Sequence, residues 1–161
     1  MAARESADAR ADAPHRADRG DHRREPGRRS VIYVDSCLVI YAVERDDELG
    51  DRARQALAET DSALAASPLV MLEAMVGPMR DGYAEPQLRM WSIFERFEML
   101  SAGPDAYLSA ARLRARNPGL RTADALHLAI AQHAGCSHLW TNDSRLAAIA
   151  HDYAVDVLTA A

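Results

Sequence analysis

From Val31 onward, short unbroken apolar runs alternate with longer stretches in which apolar residues recur every three or four positions. Val31 to Val34 is β-branched and aromatic and reads as a buried strand, while Cys37 to Glu44 has helical spacing with Ser36 placed to cap it. Leu49 to Glu59 continues with the same spacing, and Ser62 to Ala66 reads as a weak second strand. A helix is expected from about Pro68 to Met79, because proline suits a first helical position. Pro86 to Arg96 predicts another helix, Phe97 to Leu100 a third strand, and Pro104 to Arg116 a helix broken by Asn117 to Leu120. Thr122 then caps a helix that runs to Ala134 and stops at Gly135. Ser137 to Trp140, Ser144 to Ala150 and Val155 to Leu158 follow as strand, short helix and fifth strand. Alternation of this kind predicts an α/β domain with a parallel sheet covered on both faces.

Residues 1–30 do not share the pattern. They hold eight arginines and six acids, broken by Pro14, Gly20, Pro26 and Gly27, and no apolar stripe can be drawn through them. They read as a disordered, charged tail, which leaves residues 31–161 as one folded domain. Taking the tail's +2 from the formal −5 leaves −7 on the folded part, which argues against broad electrostatic binding to nucleic acid. The N-terminus lacks the apolar core of a secretory signal and no run is long enough to span a membrane, so the expectation is a soluble, cytoplasmic protein without a membrane partner. Cys37 and Cys136 match no metal-ligand spacing and read as reduced fillers. All 19 basic residues counted as Lys or Arg are arginines. Without lysine, a Walker-type phosphate loop, a Schiff base and the usual form of a phosphoacceptor-aspartate domain are all excluded.

Four carboxylates stand out. Asp35 ends the first strand, Glu73 sits among Leu69, Val70, Val76 and Gly77 at helical spacing, Asp124 opens a strongly apolar helix, and Asp143 follows the fourth strand. Taken singly, Asp35 and Asp143 could begin turns and Asp124 could complement a helix dipole. Glu73 is harder to dismiss, because an unpaired buried carboxylate costs several kcal/mol and calls for a partner or a cation. In open α/β sheets ligands bind beyond the carboxyl ends of the strands, where strand order reverses, and both Asp35 and Asp143 fall at such ends. Carboxylates sharing a small space stay ionised only if cations neutralise them, and all-oxygen donors select a hard ion, Mg²⁺ or Mn²⁺. That is equipment for phosphodiester hydrolysis, which needs no side-chain nucleophile.

The segments YVDSCLVIYAVE, SPLVMLEAMVGPMR, RTADALHLAIAQHAG and LWTNDSRL, with 38, 51 and 19 positions between successive acids, together resemble the PIN-domain family, and within it the VapC-type toxins of bacterial toxin–antitoxin pairs. The resemblance covers about residues 31–158. It implies a three-layer α/β/α PIN-like domain with a central parallel sheet of four to five strands, and a metal-dependent endoribonuclease using one or two Mg²⁺ or Mn²⁺ ions. It also implies roles. Asp35 and Asp124 would be the principal metal ligands, Glu73 would bind metal or orient its water, and Asp143 would complete a second site or hold water. Ser36, Thr141 and Asn142 would support the site. The implied partners are an RNA substrate, a small inhibitory antitoxin and a second copy of the chain.

Other residues are read less specifically. Arg80, Arg112, Arg114, Arg116 and Arg121 are available for phosphate contacts, with Arg116 and Arg121 favoured because they flank a loop leading into the proposed site. His127, one helical turn after Asp124, is read as a packing histidine rather than a base, and Trp91, Phe94 and Phe97 as packing or dimer-interface residues. Two further readings stay open. One is a catalytically silent binding or regulatory protein that keeps the sheet. The other is an aspartyl-phosphate transferase built on Asp35, against which Cys37 stands where an Asp-x-Asp strand end needs its second acid.

Overall fold

In the computed structural model, which describes residues 30–159, Val31–Val34 forms β1 at the centre of a five-stranded sheet in which every pairing is parallel. The expected charged tail lies outside the described residues apart from Ser30. The remaining strands are β2 (Ala63–Ala66), β3 (Glu98–Met99), β4 (His138–Trp140) and β5 (Ala154–Val155), in the order β3-β2-β1-β4-β5. Tyr33 faces Ala65 on one side and Leu139 on the other, so β1 carries the register of both halves.

The helices are α1 (Ser36–Glu44), α2 (Glu48–Glu59), α3 (Pro68–Asp81), α4 (Ala84–Phe94), α5 (Pro104–Arg116), α6 (Thr122–His133) and α7 (Ser144–Ala150). Helices α1–α4, which pack among themselves, lie on one face of the sheet and α5–α7 on the other, the arrangement that the right-handed crossover rule gives for this strand order. The expected three-layer α/β/α arrangement is therefore observed, with a sheet of five strands. Tyr33, Val34, Leu38, Val39, Leu128 and Leu139 lie fully buried against the sheet, and Phe94 meets Phe97 edge to face at 6.3 Å within the same core. Trp91 is exposed and stays outside that core.

The elements deviate from expectation mainly at their ends. Ser36 and Thr122 are first helical residues, not caps; Asp35 caps α1 through its side chain, and Arg121 occupies the cap position of α6 without a side-chain bond. Helix α3 runs two residues past Met79 through an internal Pro78 and ends at Gly82, whose φ of 73° only glycine takes at no steric cost. Helix α6 ends at His133, one residue short of the expected Ala134, which is its cap, and Gly135 follows at φ 70°. Helix α4 begins at Ala84 and ends at Phe94, two residues earlier at each end than its proline and arginine suggested. Strands β2, β3 and β4 each lack their expected first residue, and β3 also lacks Leu100. Strand β5 is shorter and earlier than Val155 to Leu158, because Asp156 accepts the Leu158 N–H at 2.9 Å and turns the chain. Leu158 is nonetheless fully buried, its carbonyl accepting from Arg52 at 2.7 Å.

Candidate metal centre

Strand order reverses between β1 and β4, and the ladder between them continues one step past β1, with the Asp35 N–H donating to the Trp140 carbonyl at 2.9 Å. That step delivers the Asp35 side chain to the carboxyl edge of the sheet. Asp35 is only 6% exposed. Its Oδ1 accepts the Ser36 N–H at 2.7 Å, and its Oδ2 accepts the Thr141 hydroxyl at 2.6 Å. These bonds replace the hydration that burial removes and fix the carboxylate plane. Cys37 also lies against Asp35 Oδ2, at 3.5 Å, and burial pushes its thiol far above the usual range, which keeps it protonated and inert.

Glu73 projects from α3 into the same crevice, where its Oε2 meets His127 Nε2 of α6 at 2.8 Å. The same nitrogen lies 3.7 Å from Asp35 Oδ1. His127 holds the Glu73 carboxyl below its ordinary range, against the opposing effect of burial, with help from the Ser36 hydroxyl and the Arg121 charge. Asp124, in the first turn of α6, is shifted the other way. Burial raises it most, the charge of Asp143 next, and Asp35 adds to both, while Arg121 opposes them. Asp143 follows β4. Its Oδ1 caps α7 by accepting the Arg145 and Leu146 N–H groups at 2.8 and 3.2 Å, and its own N–H donates to Thr141 Oγ1 at 3.0 Å.

Among the described residues, donor atoms of Asp35, Glu73 and His127 lie within 4.8 Å of one another. Asp124 and Asp143 do not join that cluster; they face it electrostatically. A divalent ion fits this set. The donors are mostly hard carboxylate oxygens, and a cation among them would offset the charges of Asp143 and Asp35 that, after burial, raise Asp124.

The supporting residues divide. Ser36 and Thr141 hold Asp35, whereas Asn142 turns away, donating from Nδ2 to Asp156 Oδ2 at 2.9 Å. Arg80 is exposed on α3 and paired with Asp81 at 2.8 Å. Arg116 and Arg121 are exposed at the end of α5 and the start of α6, and of these Arg121 acts on both Glu73 and Asp124.

Two residues of this region escaped the sequence reading. His127 packs as expected, but its Nε2 faces Glu73. The need of Glu73 for a partner was the available signal, since His127 is the titratable side chain fully buried on α6. Asp156 was missed because it sat inside the expected fifth strand.

The sequence matches the family described as PIN domain over residues 32–152. No curated protein matches it by sequence. Among solved structures, a toxin–antitoxin complex from Klebsiella pneumoniae aligns with TM-score 0.65 and 23% identity over 78% of this chain and 97% of that one. VapC20 of Mycobacterium tuberculosis, a sarcin–ricin-loop-cleaving toxin, aligns with TM-score 0.60 and 19% identity, covering 73% and 93%. VapBC2 of Rickettsia felis, solved on a fragment of promoter DNA, gives TM-score 0.57 and 18% identity, covering 70% and 87%. At these identities the likeness speaks for the fold.

Proposed function

We propose that this chain, which belongs to the PIN-domain family, is a divalent-metal-dependent endoribonuclease and the toxin of a toxin–antitoxin pair. The observation that supports it best is the meeting of Asp35 and Glu73 at the strand switch between β1 and β4, with Asp143 and Asp35 near enough for their charges to raise Asp124. Toxin–antitoxin proteins among the structural relatives support the toxin role.

In this reading Asp35 and Asp124 are the principal ligands of Mg²⁺ or Mn²⁺, Glu73 binds the ion or orients water, and Asp143 completes the site. When bound, the ion supplies the charge that polarises a phosphoryl oxygen and acidifies a coordinated water. The residues of the chain prepare for it. Thr141 and Ser36 hold the Asp35 carboxylate in one plane, and His127 keeps Glu73 ionised. Asn142 and Asp156 tie the β4–α7 loop to the end of β5. Arg116 and Arg121, with Arg80 farther along α3, contact RNA phosphates in the cytoplasm, which localises positive charge on an otherwise acidic domain. Leu72, Val76, Met79, Tyr83, Leu88 and Trp91 are exposed along α3 and α4 beside Glu73, a surface for an antitoxin, and the toxin itself is a homodimer.

The test is cleavage of labelled RNA by the purified full chain, with its mass in solution measured by light scattering. Cleavage requires Mg²⁺ or Mn²⁺, stops with chelator, and is abolished in Asp35→Asn and Asp124→Asn, both of which stay folded. Cleavage at the wild-type rate in those variants, or none with any divalent ion, refutes the nuclease reading; a monomeric mass refutes the dimer.

A further inference from the structure

Beneath the carboxylates runs a line of hydrogen bonds with almost no contact with solvent. Ser67 Oγ lies 2.7 Å from the Tyr33 hydroxyl, which lies 2.9 Å from His127 Nδ1, and His127 Nε2 reaches Glu73 Oε2 at 2.8 Å. Ser67, Tyr33 and His127 are each at most 1% exposed. They come from three elements: Tyr33 from β1, two residues before Asp35; Ser67 from the cap position of α3, six before Glu73; His127 from α6, three after Asp124.

Chemistry fixes the direction at Glu73. An ionised Glu73 only accepts, so His127 Nε2 carries its hydrogen toward Oε2. The other ring nitrogen is taken up by the buried Tyr33 hydroxyl, which can donate to it or accept from it. With both nitrogens engaged, the ring has no lone pair free for an ion, although Nε2 sits at ligand spacing from Asp35 and Glu73. A histidine kept only for packing does not need three elements to aim its outward nitrogen at a half-buried carboxylate. Glutamate on a helix face has three rotatable bonds and many orientations, and anchoring one oxygen removes most of them.

We infer that His127 is a positioning residue, held by Tyr33 and Ser67, that fixes the Glu73 carboxylate for a divalent ion without itself binding that ion. This rests on the reading of Glu73 and Asp35 as a metal site, and the controls separate the two.

The experiment titrates Mn²⁺ alone into the full chain, following free Mn²⁺ by electron paramagnetic resonance. His127→Leu weakens binding about 10- to 100-fold, the range for a partner of a metal-ligating side chain, and His127→Gln, which keeps an N–H near the Nε2 position, recovers most of it. In a Glu73→Gln background His127→Leu causes no further loss. Additive losses, or wild-type affinity in His127→Leu, overturn the inference. Should His127→Leu fail to fold, Tyr33→Phe loosens the ring while leaving its N–H in place and lowers Mn²⁺ affinity below wild type; unchanged affinity in Tyr33→Phe overturns the hydroxyl's part. Proton–nitrogen spectra of the histidine ring with Mg²⁺ supply an independent readout. The Nε2 hydrogen persists on loading, and its disappearance shows direct ligation and overturns the positioning role. If Asp35→Asn binds Mn²⁺ as well as wild type, the metal-site reading fails instead, whatever His127 does.

Discussion

Thr141 donates its hydroxyl hydrogen to Asp35 Oδ2 at 2.6 Å, joining the ends of β4 and β1. Thr141 Oγ1 in turn accepts the Asp143 N–H at 3.0 Å, so one fully buried hydroxyl sets the spacing of two strand-end acids.

Replacing that hydroxyl tests its share. Thr141→Val keeps the shape but leaves the Asp35 oxygen and the Asp143 N–H without their partner. A loss of about 1 to 3 kcal/mol in denaturant unfolding is expected, with at least about tenfold weaker Mn²⁺ binding. Unchanged Mn²⁺ affinity would show that Thr141 serves stability alone.

Asp143 has a capping task and a proposed metal task, and two substitutions separate them. Asp143→Asn retains an oxygen for the Arg145 and Leu146 N–H groups and unfolds near the wild-type temperature. Asp143→Ala loses the cap, at about 1 kcal/mol, and melts lower by roughly 2 to 5 °C. Both lose RNA cleavage if the charge matters. Full cleavage in the asparagine variant leaves Asp143 as a cap only.

Far from the site, Asp47 caps α2 through Gly50 and pairs with Arg45, and its carboxyl is held down to about 2 from an ordinary 3.8, chiefly by the Arg45 hydrogen bond. A depressed folded pKa means its stabilisation is complete above about pH 3.8 and is lost as pH falls through about 2. Carbon-detected NMR titration should place the Asp47 midpoint near 2, and in Asp47→Asn this part of the acid destabilisation disappears. A midpoint at the ordinary value would remove the claim.

The exposed stripe on α3 and α4 gives a prediction independent of the metal. Val76→Arg combined with Leu88→Arg should weaken binding of the proposed antitoxin by at least about tenfold while leaving the proposed RNA cleavage by the free chain unchanged. Calorimetric titration with undiminished affinity would place the antitoxin elsewhere.

How much of this the sequence disclosed follows from where each signal lives. Helices α5 and α7 were legible to the residue, α5 because Pro104 marks its start and Asn117 breaks it, α7 because Ser144 opens it. The caps of α1 and α6 were misplaced by one residue. Ser36 has the right chemistry for a cap, but Asp35 sits one position earlier with a side chain that reaches the Ser36 N–H. The fifth strand was misread because Val155, Val157 and Leu158 carry a strand's apolar content, while the turn is made by a side chain, Asp156, bonding to backbone. At the site, the acids were visible because charge is conspicuous beside apolar runs. The use of His127 was not, since its partners Tyr33 and Glu73 lie 94 and 54 positions away and no local pattern connects them.

The place of β1 in the middle of the sheet has a consequence for the time at which the acidic centre comes together. The first strand made must wait for the fourth before its second edge is paired, and Asp35 waits with it for Thr141. During synthesis the carboxylates therefore remain scattered along an unfinished chain until residue 143 is available. A growing chain short of that point holds no assembled acidic centre.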